Sequence, residues 1–235
     1  YIDQIMKKIS IITMIAVFGF LFSNCDDFIN VSPSGVIDDE IAYSSPEEMV
    51  TAAYAMLGNC WYSYPFNLWP YGDVSSDDCL KGGSGTTDTG YHPMEIWSTL
   101  TATPGELDEL WYRLYCNISR CNRALISLEQ YGNEKLGADT KAIRIGEIKF
   151  LRAHNYFKLV TMFRQVPWID EQILQNGLHE QTRNDEFTYG ELFDKIIQDF
   201  QNAYDVLPKE QADGGRVHKV AAAAYLATVS YTHLR

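Results

Sequence analysis

The strongest constraint on the fold is a helical repeat of apolar residues in the middle of the chain. Apolar side chains there recur at steps of three and four, the spacing of one face of an α-helix. They are Leu107, Leu110, Trp111, Leu114, Ile118, Cys121, Leu125 and Leu128, and Gly132 follows them. A second stripe runs from about Thr140 to Phe163, and Gly146 within it weakens a helix by roughly 1 kcal/mol relative to alanine. We therefore predict two long helices joined by a short turn.

Two capping boxes mark the starts of further helices. Ser45 with Glu48 precedes one apolar stripe, and Thr188 with Glu191 precedes another. In such a box the hydroxyl accepts from a backbone amide of the first turn, and the carboxylate accepts from the amide of the capping residue. The second stripe ends at Pro208, which cannot continue a helix. Both positions therefore predict helix starts.

The order of the helices predicts the fold class. An alanine-rich helix begins at residues 220–228, so helix pairs are expected at 106–163 and at 188–228. Paired antiparallel helices joined by short loops are typical of tetratricopeptide-like hairpins. The consensus of that repeat is absent, so the predicted likeness is architectural. We expect one mainly α domain over residues 45–228.

Residues 59–105 follow neither a helical nor an alternating pattern, and we call them the aromatic segment. Its ring-bearing residues include Trp61, Tyr62, Tyr64, Phe66, Trp69, Tyr71, Tyr91, His92 and Trp97, with a glycine-rich stretch at 81–90 between them. A stretch of this length without regular structure is usually functional or disordered, and its aromatic content argues against disorder. The segment is predicted to be a long irregular loop region that carries function.

The N-terminal part has the pattern of a bacterial lipoprotein signal. A short basic start at residues 6–8 precedes an uncharged run at 9–22, and Cys25 follows closely. A bilayer span needs roughly 20 apolar residues, so the run predicts a cleaved signal peptide over residues 1–24. Residues 1–5 then lie upstream of the natural start. The alternative is an ordinary cleaved signal followed by an incidental cysteine.

Cys25 is the predicted lipidation site. The polar, turn-rich stretch after it is expected to form a lipid-anchored tether over residues 25–44. The anchor would place the folded body at the outer membrane.

The charge of the chain excludes one class of partner. The net charge is −12, and without residues 1–24 the 19 basic and 31 acidic side chains fall to 17 and 30, which gives −13. Phosphate binding needs a basic surface, so we predict no nucleic-acid partner. An acidic body suits attachment to a membrane by lipid rather than by charge.

The cysteines and acids predict neither a metal site nor a cofactor. No cysteine pair has C-x-x-C spacing, no histidine stands at zinc spacing, and the acids at 73–78 lack the spacing of an EF-hand. Cys121 lies on an apolar stripe and is expected to be a buried thiol. Cys60 and Cys79 flank one loop and either pair in an oxidising envelope or remain thiols.

Short motifs run in a fixed order along the chain. They are CDDFI at 25–29, YGDV at 71–74, SDD at 76–78, LWYRLY at 110–115, RCNRAL at 120–125, GEIKFLRAHNYF at 146–157 and GRV at 215–217. In this order and spacing they resemble the SusD/RagB family of Bacteroidetes surface lipoproteins. The stretch at 146–157 is the most specific part. Gly146 departs from the resemblance, because the family usually has alanine there.

The resemblance implies a function without catalysis. It implies binding of a glycan or another oligomeric nutrient, and a partner that is a SusC-type TonB-dependent barrel of the outer membrane. Acidic residues directly after the lipidated cysteine, here Asp26 and Asp27, resemble the signal for display on the cell surface. Family members are longer, so the resemblance implies that this chain is an N-terminal half. Residues 229–235 are expected to be a translated sequencing-library end rather than natural sequence.

The candidate ligand-binding residues follow from the same resemblance, because members with a known site build part of it after the SDD-like motif. The aromatic candidates are Tyr91, His92 and Trp97, with Asp88 and Glu95 as polar partners. An aromatic ring covers the apolar face of a sugar, while carboxylates and amides take its hydroxyls. The alternative for Trp97 is that it packs on the following helix.

Two other function classes remain open from the residues alone. A glycan-cleaving lipoprotein needs two positioned carboxylates, and Glu106, Asp108 and Glu109 are available. Acids in the first turn of a helix are favoured by the helix dipole, which explains this cluster without catalysis. A helical-repeat scaffold that binds only envelope proteins is the other alternative. Glu147 and Arg152 are predicted to form structural ion pairs.

Overall fold

The structure is a computed structural model, and it describes residues 39–55, 60–61, 64–65, 70–83, 91–98 and 106–233, with Met6 and Leu57 as single positions. The chain separates into two compact units, Tyr1–Asp39 and Glu40–Arg235. The helices are α1 (Asp39–Tyr43), α2 (Pro46–Ala55), α3 (His92–Glu95), α4 (Glu106–Leu136), α5 (Ala138–Phe163), α6 (Glu171–Gln175), α7 (Tyr189–Val206) and α8 (Lys219–His233). The second unit is therefore mainly α, as the apolar stripes predict.

Helices α4 and α5 form the central antiparallel hairpin. A single residue joins them, Gly137, whose φ of 78° lies in the left-handed region where a side chain is disfavoured. Its carbonyl accepts from the amide of Lys141 at 3.0 Å and so begins α5. The tight reversal brings the apolar faces of both helices together, and α2 packs across the two of them.

The remaining long helices extend this packing in series. Helix α7 lies against α5, and α8 lies against α7, so neighbouring helices in the chain are neighbours in space. The capping box at the start of α7 is present: the Thr188 hydroxyl accepts from the Glu191 amide, and the Glu191 carboxylate accepts from the Thr188 amide at 2.8 Å. Pro208 follows the helix, as predicted. Serial hairpins of this kind are the predicted tetratricopeptide-like arrangement.

One continuous apolar core runs through these helices. Its largest fully buried side chains are Leu110, Leu114, Ile118, Leu128, Ile148, Leu151, Tyr156, Leu159, Leu192, Phe193, Ile196 and Phe200. Most of the apolar residues in the predicted stripes of α4, α5 and α7 are buried in this core. Cys121 is buried as expected, and burial raises the pKa of its thiol to about 12.

The aromatic segment is irregular where the structure describes it. Two strands of two residues, β1 (Cys60–Trp61) and β2 (Tyr64–Pro65), pair antiparallel, with Cys60 opposite Pro65 and Trp61 opposite Tyr64. A π-helical turn follows at Pro70–Val74. Farther along, α3 is a single turn that packs against the π-helical turn. The segment therefore consists of short pieces rather than long regular elements.

The helices differ from the sequence predictions in two respects. Helix α4 continues one turn beyond Gly132 to Leu136, because this glycine lies buried against the side chain of Lys141 on α5. A short helix that the stripes do not predict, α6, lies between α5 and α7.

No helix within the described ranges is long and apolar enough to cross a membrane. Cys79 is a free thiol whose Sγ lies 3.2 Å from the carbonyl oxygen of Leu80.

Candidate functional site

The candidate site is held by one turn of helix in the aromatic segment. Tyr91 stands at the N-cap of α3, and Pro93 occupies its first turn, where a missing amide hydrogen costs nothing. Met94 of this turn is only 4% exposed, so its side chain is packed away from solvent. Since α3 packs against the π-helical turn at Pro70–Val74, the two short elements support each other. The site is therefore presented on an anchored turn.

Trp97 is presented to solvent directly after this turn. Its side chain is 72% exposed, and its φ of 52° places the backbone in the left-handed region. Such a conformation is rare for a bulky residue, and it clusters at functional positions where the surroundings hold it in place. At this exposure the Trp97 ring is not part of the buried core, which disfavours the alternative that it packs on the following helix. The neighbouring Ile96 is half-exposed.

His92 and Glu95 form a polar pair one helical turn apart. The Nδ1 of His92 lies 3.4 Å from Oε2 of Glu95, and both side chains remain partly exposed. Tyr91, directly before them, is half-buried. The turn thus brings four of the predicted site residues into one short stretch, with polar groups beside an exposed indole. Such a set can cover the face of a sugar ring and bind its hydroxyls.

Two predicted residues lie outside the described part of the chain. Asp88 belongs to the glycine-rich stretch, and Cys25 belongs to the N-terminal part. Both assignments stay predictions.

The acidic cluster at the start of α4 is explained by local structure. Arg113 donates to Glu109 at 2.5 Å across one turn of the helix, and Asp108 is exposed in the same turn. Acids at a helix start are stabilised by the dipole and the unpaired amides there. Across the described ranges, no group of three or more metal-ligating side chains is positioned to hold an ion.

The prediction that Glu147 forms structural pairs is confirmed. Its carboxylate is fully buried and accepts four hydrogen bonds. Tyr54 Oη and Arg216 Nη1 donate to one oxygen at 3.1 and 2.9 Å, and Arg144 Nη1 and Gln211 Nε2 donate to the other at 2.8 and 2.9 Å. These donors come from α2, α5 and the loop before α8. Because protein donors occupy both of its oxygens, the Glu147 carboxylate stabilises the fold and is not available to bind a ligand.

Glu47 extends the same network at the surface. It accepts from Arg144 Nε at 2.8 Å and from Arg216 Nη2 at 2.6 Å, so it bridges two arginines that also contact Glu147. Burial by itself would raise the pKa of Glu47, but the two arginines outweigh it and hold the pKa below its usual value. The network ties α2 to the loop before α8.

Arg152 is likewise a structural residue, as predicted. It is buried on α5, where it pairs with Asp199 and Glu171 and donates to Asn122 at 3.0 Å. Burial works against its charge, but the two carboxylates outweigh that penalty and raise the pKa of the guanidinium. Burial would also raise the pKa of Glu171, yet the Arg152 charge and hydrogen bond hold it below its usual value.

Sequence reasoning missed the backbone of Trp97 and the partners of the buried charges. A tryptophan at position 97 does not predict a left-handed conformation, because glycine and asparagine are the residues that usually adopt it. Arg144 stands three residues before Glu147 on the same helix. The other partners of Glu147 and Arg152 lie on other helices or in the loop before α8, and no short motif pairs them. The GRV motif at 215–217 was the one available signal, since it is among the motifs that carry the family resemblance and it contains Arg216.

The chain is similar to known proteins over most of its length. A model of the SusD-like family, described as starch-binding and associating with the outer membrane, matches residues 42–231. A SusD-like protein of Bacteroides ovatus is 25% identical over 220 residues, which is 92% of this chain and 38% of the relative.

Solved structures show the same architecture. A laminarin-binding SusD-like protein superposes with a TM-score of 0.63 at 24% identity, over 80% of this chain and 40% of that one. The surface glycan-binding protein A from Bacteroides uniformis gives a TM-score of 0.64 at 24% identity, over 78% and 40%. The chain thus spans about two fifths of the length of the relatives it matches, and its mainly α, tetratricopeptide-like fold is confirmed. The match of the family model over almost the whole helical unit shows that the chain belongs to the SusD-like family.

Proposed function

We propose that the protein is a surface lipoprotein that binds glycan and passes it to a SusC-type TonB-dependent transporter in the outer membrane. The observation that carries the binding part is the exposed indole of Trp97 in a strained backbone on an anchored turn. The indole and the neighbouring half-exposed Ile96 offer an apolar surface that a ligand can cover. The proposed ligand is an oligosaccharide or polysaccharide.

The chemistry of the turn supports this ligand class. A sugar ring has an apolar face of C–H groups and a rim of hydroxyls. Trp97 is proposed to cover the face, and His92, Glu95 and Asp88 to bind the rim, with Tyr91 as a second ring. His92 and Glu95 already lie within reach of each other, so one sugar hydroxyl can bridge them.

The names of the relatives point to the first ligands to test. One solved relative is described as laminarin-binding, another as a surface glycan-binding protein, and the family model as starch-binding. Laminarin and starch are therefore the first probes.

The anchoring and the partner are further parts of the proposal. Cys25 is proposed to carry the lipid, residues 25–44 to form the tether, and the helical body over 45–228 to dock the barrel. An acidic body cannot be held at an anionic membrane by charge, so a lipid anchor suits it.

Binding without cleavage is the proposed outcome. Glycoside hydrolysis needs an acid and a second carboxylate on opposite sides of the scissile bond. Here Glu109 is engaged by Arg113 in the first turns of α4. Glu95 shares its turn with His92 rather than with a second acid.

Affinity electrophoresis of the full chain in gels that contain laminarin or starch tests the binding. We expect retardation by at least one of them and its loss in Trp97→Ala. Tyr204→Ala is the matched control, because it removes a partly exposed ring from α7, outside the aromatic segment. Unchanged retardation in Trp97→Ala would refute the assigned site. New reducing ends on incubation with glycan would favour the cleaving alternative.

Metabolic labelling with palmitate in the host tests the anchor. We expect label in the wild-type protein, none in Cys25→Ala, and release of that variant from the membrane. Co-purification with a TonB-dependent barrel tests the transporter. Co-purification with other envelope proteins, together with no glycan binding, would favour the scaffold alternative.

A further inference from the structure

The aromatic segment is unusually poor in basic side chains. Over residues 59–105 it contains no arginine and a single lysine, Lys81. The same stretch carries five carboxylates, at Asp73, Asp77, Asp78, Asp88 and Glu95. The first turn of α4 adds three more. The segment that carries the candidate site is therefore strongly acidic in sequence.

The structure places one of these acids, Asp73, on the element that packs against the turn that presents Trp97. The π-helical turn packs against α3, and it carries Asp73, which is exposed. Asp77 and Asp78 follow this turn after two serines and are exposed as well. Glu95 belongs to α3 itself. The ammonium of Lys81 donates to the carbonyl of Gly82 at 3.1 Å.

Anionic glycans need the opposite arrangement. Uronate and sulfate groups are recognised by arginine and lysine, with arginine favoured because its planar fork matches two oxygens. Such groups recur along the polymer, so a chain stacked on Trp97 brings several of them close to the carboxylates. Repulsion between like charges acts over roughly a Debye length, about 10 Å at moderate salt. Unpaired like charges are a common means of rejecting a wrong ligand.

We infer that the Trp97 site selects uncharged glycans and rejects glycans that carry uronate or sulfate groups. The carboxylates of Asp73, Asp77 and Asp78 supply the rejection, and they do so without contacting an accepted sugar. This inference rests on the proposed function, because it concerns the ligand class of the same site. It assigns to residues 73–78 a role in specificity rather than in affinity.

Equilibrium binding by the full chain at low salt tests the inference. Laminarin and starch are the uncharged probes, and polygalacturonate and chondroitin sulfate are the anionic ones. We expect binding of an uncharged glycan, with a dissociation constant at least about tenfold lower than that of either anionic polymer. Added salt is expected to leave the affinity for the uncharged glycan unchanged. It is expected to tighten binding of the anionic polymers, because it screens their repulsion by the carboxylates.

A charge reversal separates this role from affinity. In the double variant Asp77→Lys, Asp78→Lys we expect anionic polymers to bind several-fold more tightly while the uncharged glycan binds as before. The matched control is Glu180→Lys, Glu210→Lys, which changes the net charge equally at exposed positions outside the segment. This control variant is expected to keep the wild-type preference for the uncharged glycan over the anionic polymers.

The possible failures are distinguishable from one another. Anionic polymers that bind as tightly as laminarin, with binding lost in Trp97→Ala, would overturn the charge selectivity and leave the proposed function standing. An equal gain of anionic binding in the control variant would assign the preference to overall charge and overturn the role of residues 73–78. No binding of either class would overturn the proposed function and this inference with it.

Discussion

Arg152 and Asp199 form a buried two-point ion pair between α5 and α7. Nε of Arg152 donates to one carboxylate oxygen of Asp199 at 2.7 Å, and Nη2 donates to the other at 3.0 Å. The side chains are only 4% and 6% exposed. In the same place the guanidinium lies 5.8 Å from the ring centre of Trp168. A pair so deep in the core fixes the position of α7 against α5.

Removing the charge of Asp199 is predicted to destabilise the protein strongly. In Asp199→Asn the guanidinium of Arg152 keeps its burial but loses its main counter-charge. Breaking a buried pair by removing one partner typically costs about 3–5 kcal/mol of stability. Because Arg152 keeps its contact with Glu171, we expect the free energy of unfolding to fall by about 3 kcal/mol. Urea unfolding followed by circular dichroism measures it.

The exposed pair of Arg183 and Asp185 provides the control. Both of its side chains are mostly exposed, so Asp185→Asn is expected to change the free energy of unfolding very little. Equal midpoints for the two variants would show that burial does not set the importance of these pairs.

Stability is predicted to fall between pH 6.5 and 4.5 because of His154. Its ring stacks on Phe150 and meets Tyr225 edge-on, and Nδ1 is buried without a hydrogen-bond partner in the described structure. Burial, aided by the charge of Lys158, lowers the pKa of His154 from 6.5 to about 3. The unfolded chain therefore binds a proton in this range and the folded protein does not. The contribution of the neutral His154 to the free energy of unfolding is fully present above pH 6.5. It declines on acidification by up to about 1.4 kcal/mol per pH unit.

The variant His154→Gln isolates this effect. Urea unfolding at several pH values between 6.5 and 4.5 is expected to give a flatter pH dependence for the variant than for the wild type. Glu47 and Glu171 have lowered pKa values, so they are protonated in the folded protein only below the usual range of a glutamate. The protein is therefore expected to lose their stabilising contribution only at lower pH. His179→Gln, at an exposed position, is expected to keep the wild-type slope. An unchanged slope in His154→Gln would contradict the assignment.

Gly146 is predicted to be required by close packing rather than tolerated as a weak point. A Cβ at this position would lie 2.4 Å from Cγ2 of Val206 at the end of α7. Gly146→Ala is therefore expected to lose stability, because overpacking of about 1–3 kcal/mol exceeds the gain in helix propensity of about 1 kcal/mol.

The second site provides the test of this explanation. In Gly146→Ala combined with Val206→Ala the contact is relieved, and the alanine is expected to stabilise α5 relative to Val206→Ala alone. Urea unfolding of the four proteins measures the coupling as a double-mutant cycle. Additive effects would mean that the two positions do not interact.

The backbone of Trp97 allows binding and stability to be separated. Trp97→Gly removes the ring but suits the left-handed conformation, whose strain costs roughly 1–2 kcal/mol for a non-glycine residue. The extra freedom of glycine in the unfolded chain offsets about 0.5–1 kcal/mol of that gain. We expect unchanged or slightly higher thermal stability together with loss of glycan retardation. A large drop in melting temperature would show that the ring contributes to the fold.

The helical part of the fold was predictable because its signals are local. The stripes of α4, α5 and α7 and the capping box at Thr188 depend on residues three or four positions apart. Helix ends were less predictable, since Gly132 reads as a stop but is buried against Lys141 of the next helix. Tertiary packing outweighs the local preference there.

The candidate site was predictable in its residues but not in its conformation. The order of motifs identified Tyr91, His92, Glu95 and Trp97, and the structure places them on one turn. The left-handed φ of Trp97 is not encoded by any short pattern of residues. The same holds for the buried charges, whose partners are brought together only when the helices pack.

The Glu147 network has a consequence for synthesis on the ribosome. Arg216 follows Glu147 by 69 residues and Glu47 by 169, so both carboxylates emerge long before this arginine. At 5–20 residues per second the interval after Glu147 is roughly 3 to 14 seconds. During that time the nascent α4–α5 hairpin holds a carboxylate with only part of its donors. The growing chain therefore completes the Glu147 cluster only after α7 has been made.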